Sequence, residues 1–366
     1  GKQILLPNAE YKIKALEKVY VNGKTFQAGE YIDYFSFDVL NGFTVNSWTT
    51  DEKGNIKLGE KLSAGLYQLE LVKAPKGYIL DENPVKFEIT TEGVYQLDEN
   101  GEPEFTVTKE LDPAKTQINV SKKGETLKGY KDGQFTYELN GLSDAKYQII
   151  AKENIMDPSN DGNVLYVKNS VVETVTTGSK GTVKTTNLPL GEYTVKEINA
   201  PHGYSLNKET QDIRGLYVDE NTPVVAKNVE FTNDRQHYTV EGIKLDKETN
   251  EALKGAEFSV YANEDIYNAN NELIVARDTK VASGVTGDNG NVILDTDLPT
   301  DYDFYMLETK TPLGYVSTTQ REDFATDYTD DSEQFVRISK TFKNDPTTVE
   351  IAKTDEVSKV KPAGTN

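Results

Sequence analysis

The chain contains no cysteine. That excludes disulfides, thiolate nucleophiles and Cys-built metal sites. Histidine is nearly as scarce: His202 and His237 are the only two, and neither lies near a Ser/Asp pattern, which argues against a His-dependent hydrolase. No run of about 18 apolar residues occurs, so no segment reads as membrane-spanning. No signal peptide is visible at Gly1 either, and the chain reads as a fragment of a longer precursor. Basic residues are outnumbered, 40 Lys and Arg against 60 Asp and Glu, for a net charge of −20. Acidity spread along the chain argues against nucleic acid and anionic membranes as partners and favours solubility. A P-loop and a dinucleotide fingerprint are also missing.

What is present is apolar and aromatic material in short alternating runs. The 366 residues are 36% hydrophobic, with 21 Tyr and 13 Phe, enough for several domains with true cores. Self-similarity appears with a period of about 110 residues. A Pro-x-Gly-Tyr turn recurs as A-P-K-G-Y (74–78), A-P-H-G-Y (200–204) and T-P-L-G-Y (311–315). Ahead of each stands N-A-E-Y-K-I (8–13), D-A-K-Y-Q-I (144–149) or G-A-E-F-S-V (255–260). The turns T-D-E-K-G-N (50–55) and T-G-D-N-G-N (286–291) correspond, and V-E-F-T-N-D (229–234) and K-T-F-K-N-D (340–345) close two of the repeats. Runs rich in Val, Thr, Tyr and Phe, separated by Gly, Asn, Asp and Pro, predict an all-β chain of sandwich domains. The boundaries expected are 1–114, 115–235 and 236–346, with a tail at 347–366. Linkers of a few residues favour a stiff rod.

Two strands carry a carboxylate on their apolar face. In G-E-Y-T-V-K-E (191–197) alternation puts Tyr193, Val195 and Glu197 together, and Phe304, Met306 and Glu308 share a face in the next repeat. Such a group is costly unless paired or neutral. The same alternation groups Ile118 and Val120 with Lys122, turning Lys123 outward, and groups Val229 and Phe231 with Asn233. In the third repeat V-E-G-I-K-L-D (240–246) supplies Lys244, and Phe342 shares its face with Asn344.

These motifs in combination closely resemble the CnaB-type (SpaA-like, prealbumin-like) domains of Gram-positive surface proteins and pilins, over essentially the whole chain. The resemblance implies a tandem array of three Ig-like β-sandwiches. It also implies intramolecular isopeptide bonds, Lys122 to Asn233 and Lys244 to Asn344, with Glu197 and Glu308 as catalysts. Burial lowers a lysine pKa and raises that of a carboxyl. A neutral amine is a nucleophile, and a protonated glutamate would donate to the Asn amide oxygen and polarise it. Attack on the side-chain carbon releases ammonia, and enforced proximity replaces an external enzyme. The reaction runs once per domain, so the chain is expected to be a structural stalk or pilin-like shaft on a Gram-positive cell surface and not an enzyme. No cofactor is implied. Its partners would be other domains of the same surface protein or pilus. The alternative is an adhesin, with the first domain binding a host matrix protein or glycan. Neither a sortase sorting signal nor the pilin polymerisation lysine is evident.

The first repeat departs from the pattern. Leu71 holds the glutamate position in G-L-Y-Q-L-E-L-V-K (65–73), Glu70 falls on the opposite face, and Val107 holds the asparagine position, so no crosslink is expected there. I-L-L-P-N-A-E-Y (4–11) aligns with E-A-L-K-G-A-E-F (251–258), which leaves the first repeat without its lysine-bearing strand. Conversely, T-V-E-I-A-K-T-D (348–355) resembles the opening of a further domain, with Lys353 as its lysine. A fragment cut out of register explains both; addition of the tail strand to a neighbouring molecule is the other reading. D-P-S-N-D-G-N (157–163) lacks the closing glutamate of a calcium loop, having Lys168 there, and reads as a turn. The acidic run 327–333 reads as a solvated loop and no metal site is expected.

Overall fold

A computed structural model describes residues 4–37, 42–56, 58, 62–97, 100, 103–104, 108–158, 162–349 and 351–353. Among them every regular element is a strand. Each repeat is built on one antiparallel pair: Glu10–Ala15 with Gly65–Lys73, Lys146–Ala151 with Gly191–Asn199, and Glu257–Ala262 with Asp303–Lys310. The register slips at the same place each time, between Glu10 and Tyr11, Lys146 and Tyr147, and Glu257 and Phe258. A bulge of this kind bends the strand and re-aims its side chains. It sets Leu71, Glu197 and Glu308 directly opposite Tyr11, Tyr147 and Phe258.

In the second and third units this sheet faces another. The opening strand Lys115–Lys131 runs parallel to the closing strand Val224–Asn233, with Lys122 beside Phe231. In the third unit His237–Asp246 runs parallel to Phe335–Asn344, with Lys244 beside Phe342. First and last strands of each unit are therefore neighbours. Strict alternation buries one side of each, and Ile118, Val120, Val229 and Phe231 meet Tyr147, Ile149 and Val195 in the second core. The chain is a tandem array of β-sandwich units.

The first unit is different. Its strands form one six-stranded sheet, and among the described residues no parallel opening and closing pair is found. Small hairpins, Val19–Val21 with Lys24–Phe26 and Tyr34–Phe37 with Gly42–Val45, cover the face that carries Tyr67 and Phe87. Leu71 packs with Tyr11 and Ala74 in an apolar cluster, while Glu70, on the other face, pairs with Lys14 at 2.5 Å and accepts from Tyr31 at 2.6 Å. Val107 lies outside the described residues.

The joints between units are bonded rather than loose. In each Pro-x-Gly-Tyr turn the Tyr N–H returns to the Pro carbonyl, for Tyr78, Tyr204 and Tyr315 alike. The glycine adopts positive φ (97° at Gly77, 87° at Gly203 and Gly314), as a type II turn requires at its third position. The glycine carbonyl then accepts from the head of the next segment: Ala114 at 2.9 Å, Gln236 at 2.8 Å and Thr347 at 2.8 Å. Between the second and third units Arg235 and Gln236 are buried. Arg235 stacks on Tyr137, 3.5 Å from the ring centroid, and pairs with Asp297. Gln236 donates to Thr329 and to the carbonyl of Glu333, so the acidic run expected to be a solvated loop is part of the joint.

A second contact braces that joint. The hairpin of Lys115–Lys131 with Gln134–Gly141 reaches beyond its own unit, and Phe135 is buried in the core of the third, packed with Tyr130 and Tyr137. Phe135→Ala is expected to destabilise the third unit by about 3 kcal/mol, although the residue belongs to the second in sequence. Hydrogen exchange of Val260 and Met306 checks this; an unchanged third-unit core with a weakened second would contradict it.

Candidate functional site

Three strands deliver one side chain each to the same buried point. Lys122 comes from the opening strand, Asn233 from the closing strand and Glu197 from the bulged strand of the facing sheet; Lys122 and Glu197 are 0% exposed and Asn233 is 2%. The Lys122 Nζ donates to Asn233 Oδ1 and lies 3.0 Å from Glu197 Oε1. Asn233 Nδ2 donates to both carboxylate oxygens, at 3.1 and 3.0 Å. The third unit repeats this. Lys244 Nζ donates to Asn344 Oδ1 and lies 3.1 Å from Glu308 Oε1, and Asn344 Nδ2 is 3.0 and 2.9 Å from the Glu308 oxygens.

Aromatic rings wall both centres. Tyr147 packs on Phe231 and Phe258 on Phe342, with centroids 5.0 and 4.8 Å apart. In this setting desolvation lowers the pKa of Lys122 and of Lys244, against the opposing pull of Glu197 and Glu308. The neutral amine is thereby made more accessible than on a surface lysine.

One feature differs from expectation. The amide nitrogen, and not the oxygen, faces the glutamate, and the oxygen faces the lysine. With Lys as ammonium it can only donate, so it takes the oxygen, and a carboxylate can only accept, so it takes the NH2. A half-turn of the amide about Cβ–Cγ would exchange the two. Strand alternation identifies the face of a side chain and carries no information about which amide atom meets which partner.

Sequence reasoning missed two groups at the second centre. The Tyr147 hydroxyl lies 3.5 Å from Glu197 Oε1, and the Asn207 main-chain N–H donates to Oε2 at 2.8 Å. Phe258 replaces Tyr147 in the third unit, so the two centres are not identical. The contrast is visible in D-A-K-Y against G-A-E-F, but its meaning depends on the bulge that sets this residue opposite the glutamate.

A pH prediction follows for Asn233→Ala, which keeps the lysine and glutamate but removes the acceptor. Because the folded pKa of Lys122 is depressed below 10.5, the unfolded chain binds more protons between the two values. Stability of this variant should therefore rise with pH through that window and level off above it. Urea titrations at a series of pH values check this; flat stability across the window would contradict it.

Among the described residues no cluster of three His, Asp or Glu is placed to hold a metal ion. The turn at 157–163 is closed by Asp157 N–H to the Asn163 carbonyl at 2.9 Å, and its residues 159–161 lie outside the described set.

Sandwich units with a parallel first and last strand, a bulged facing strand and a Pro-x-Gly-Tyr joint define a repeated prealbumin-like domain. The chain belongs to the SpaA prealbumin-like fold domain family, whose pattern matches residues 2–103, 102–230 and 238–340. It is 26% identical over 214 residues to the trypsin-resistant surface T6 protein of Streptococcus pyogenes serotype M6, covering 55% of this chain and 38% of that protein. In fold it is similar to the Bacillus anthracis TIE protein, with 22% identity, a TM-score of 0.52, and coverage of 93% of this chain and 48% of that one. The major pilin subunit BcpA of Bacillus cereus, as a variant, matches with 16% identity and a TM-score of 0.30, over 93% of this chain and 95% of that one. The chain thus spans less than half the length of the streptococcal protein and of the anthrax protein.

Proposed function

We propose that this chain is a load-bearing segment of a Gram-positive surface protein or pilus, in which the second and third units each close a Lys–Asn isopeptide bond. The observation that carries the proposal is the twofold convergence of a buried lysine, asparagine and glutamate between the first and last strands of a unit. Membership of the SpaA family and likeness to a streptococcal surface protein support the setting.

In each centre the lysine passes a proton to the glutamate and its free amine attacks the Asn side-chain carbon, Cγ. The new bond is Nζ–Cγ and the bond that breaks is Cγ–Nδ2; the glutamate gives its proton to the departing nitrogen, which leaves as ammonia, and then takes the second Nζ proton, so that a neutral amide N–H remains and the proton leaves with the ammonia as ammonium. Glu197 and Glu308 already hold that nitrogen, so the proton has a short path to the leaving group. No external reagent is needed, because the strands bring amine and amide together as the unit folds. The unit boundaries proposed are 115–235 and 236–346, preceded by an uncrosslinked unit at 1–114.

Protease digestion and peptide mapping test the assignment. A branched peptide joining Lys122 to Asn233, and another joining Lys244 to Asn344, are expected. Glu197→Ala should abolish the first alone and Glu308→Ala the second alone. Linear peptides from the unmutated chain would overturn it. The adhesin reading has one favouring observation, the first unit's departure from the shared plan, with Phe35 and Tyr20 strongly exposed.

A further inference from the structure

The joint is a repeated interface, and among the described residues its third copy shows one bond fewer than the other two. Each Pro-x-Gly-Tyr turn makes the same set of bonds to the segment that follows. Ile79, Ser205 and Val316 donate to the carbonyls of Asp112, Asp234 and Asp345, at 2.9, 3.0 and 2.9 Å. Bridges join Tyr78 to Pro113, Tyr204 to Arg235 and Tyr315 to Pro346. At two joints the next residue reaches outward: Leu80 N–H donates to Glu220 and Leu206 N–H to Asp331, both at 2.8 Å. Glu220 and Asp331 occupy one place in their units, the loop just before the closing strand. The turn of one unit thus docks on the pre-closing loop of the next.

Ser317 is the counterpart of Leu80 and Leu206. It is exposed, and among the described residues its N–H has no partner. The surface around it is open where its equivalents are covered. Gly203 is buried but Gly314 is exposed, and Ile79 and Ser205 are half-buried but their counterpart Val316 is 49% exposed. Beyond the joint, Val349 and Ile351 are 85% and 88% exposed on the same alternation that elsewhere faces a core.

We infer that the Thr311–Ser317 turn is a docking face for a further unit of this same fold, entered through the segment that follows Pro346. Its pre-closing loop would accept the Ser317 N–H and cover Gly314 and Val316. The third turn holds its inward bonds in the geometry of the other two, and among the described residues only the outward bond is missing, so the occupant that fits is the one seated on the other two turns. Counted from the joint, Lys353 falls two residues short of the lysine place in the other units, on the same alternation, and no crosslink is proposed there. It rests on the tandem-array part of the proposed function and is independent of the isopeptide chemistry.

Hydrogen exchange with mass spectrometry tests this, comparing the 366-residue chain with the longer chain that contains its continuation. The Leu80 and Leu206 amides should be protected in both. The Ser317 amide should exchange within seconds in the shorter chain and at least ~100-fold more slowly in the longer one, corresponding to about 2.7 kcal/mol of protection. Rapid exchange of Ser317 in both chains would overturn the inference. So would protection in the shorter chain that grows with protein concentration, since a second copy would then be the occupant. Failure of the isopeptide reading is read separately, from ammonia loss, and leaves this result untouched.

Discussion

Lys122→Ala should lower the stability of the second unit by about 4–5 kcal/mol, whereas Lys123→Ala should change it by less than about 0.5 kcal/mol. The neighbours differ by one position and therefore by face. Lys123 is half-exposed and pairs with Glu230 on the surface at 2.9 Å, an interaction worth little in water. Lys122 is fully buried against Glu197. Removing it would delete the proposed closure across the 111-position span between Lys122 and Asn233, which by analogy with disulfides is worth about 4–5 kcal/mol through the unfolded state. In a unit whose bond had not closed, the loss would instead be that of the cation beside a buried carboxylate, typically about 3–5 kcal/mol. The two terms belong to alternative states, after and before closure, and are not added. Calorimetry that resolves the units checks this, and equal effects of the two substitutions would contradict both the face assignment and the crosslink.

Under a pulling force the second and third units should not extend. Load enters each at its opening strand and leaves from its closing strand, and the proposed Lys–Asn bond between those strands would carry it past the core. The spans from Lys122 to Asn233 and from Lys244 to Asn344, 111 and 100 positions, are then shielded. The first unit, with Leu71 in the glutamate position, has no such protection and should be the only one to unravel. In the double variant Glu197→Ala, Glu308→Ala, both spans are released, each adding roughly 350 Å of contour length. Single-molecule force spectroscopy distinguishes the cases by the number of unfolding steps. Three steps from the unmutated chain would contradict the account.

Much of this arrangement was legible in the sequence because a period of two is a strong signal. Tyr193, Val195 and Glu197 fall on one face whatever the rest of the chain does, and so do Ile118, Val120 and Lys122. Leu71 could be placed as the counterpart of Glu197 by counting back from the Ala-Pro turn, and the shared bulge puts the two in the same register. Other features depend on partners that no local pattern specifies. The Leu127–Tyr137 region reads as an ordinary hairpin with a Lys-Asp-Gly turn, and nothing in it shows that Phe135 is buried in another unit's core. The acidic run 327–333 looks solvated because carboxylates usually are, yet its backbone carbonyls, which composition does not reveal, receive the side chain of Gln236 and the N–H of Leu206. The orientation of the Asn233 and Asn344 amides was likewise beyond reach, since it depends on the charge state of both neighbours.

The brace and the buried joint also bear on what the chain can do as a mechanical element. Arg235 and Gln236 are fixed by contacts to Asp297, Tyr137 and Thr329, so the link between the second and third units is part of the folded structure. In the proposed load-bearing role, force would pass from Asn233 to His237 through residues that are themselves packed. A crosslink within each unit would be of little use if the joint between them yielded first.

The most direct test is the intact mass of the chain, measured after denaturation so that only covalent bonds count. The account predicts a mass below that of the sequence by two molecules of ammonia, with one restored in Glu197→Ala and one in Glu308→Ala. A mass equal to that of the sequence would mean that Lys122, Asn233 and Glu197, and their counterparts in the third unit, are buried hydrogen-bonded clusters without a covalent bond, and the load-bearing account would fail.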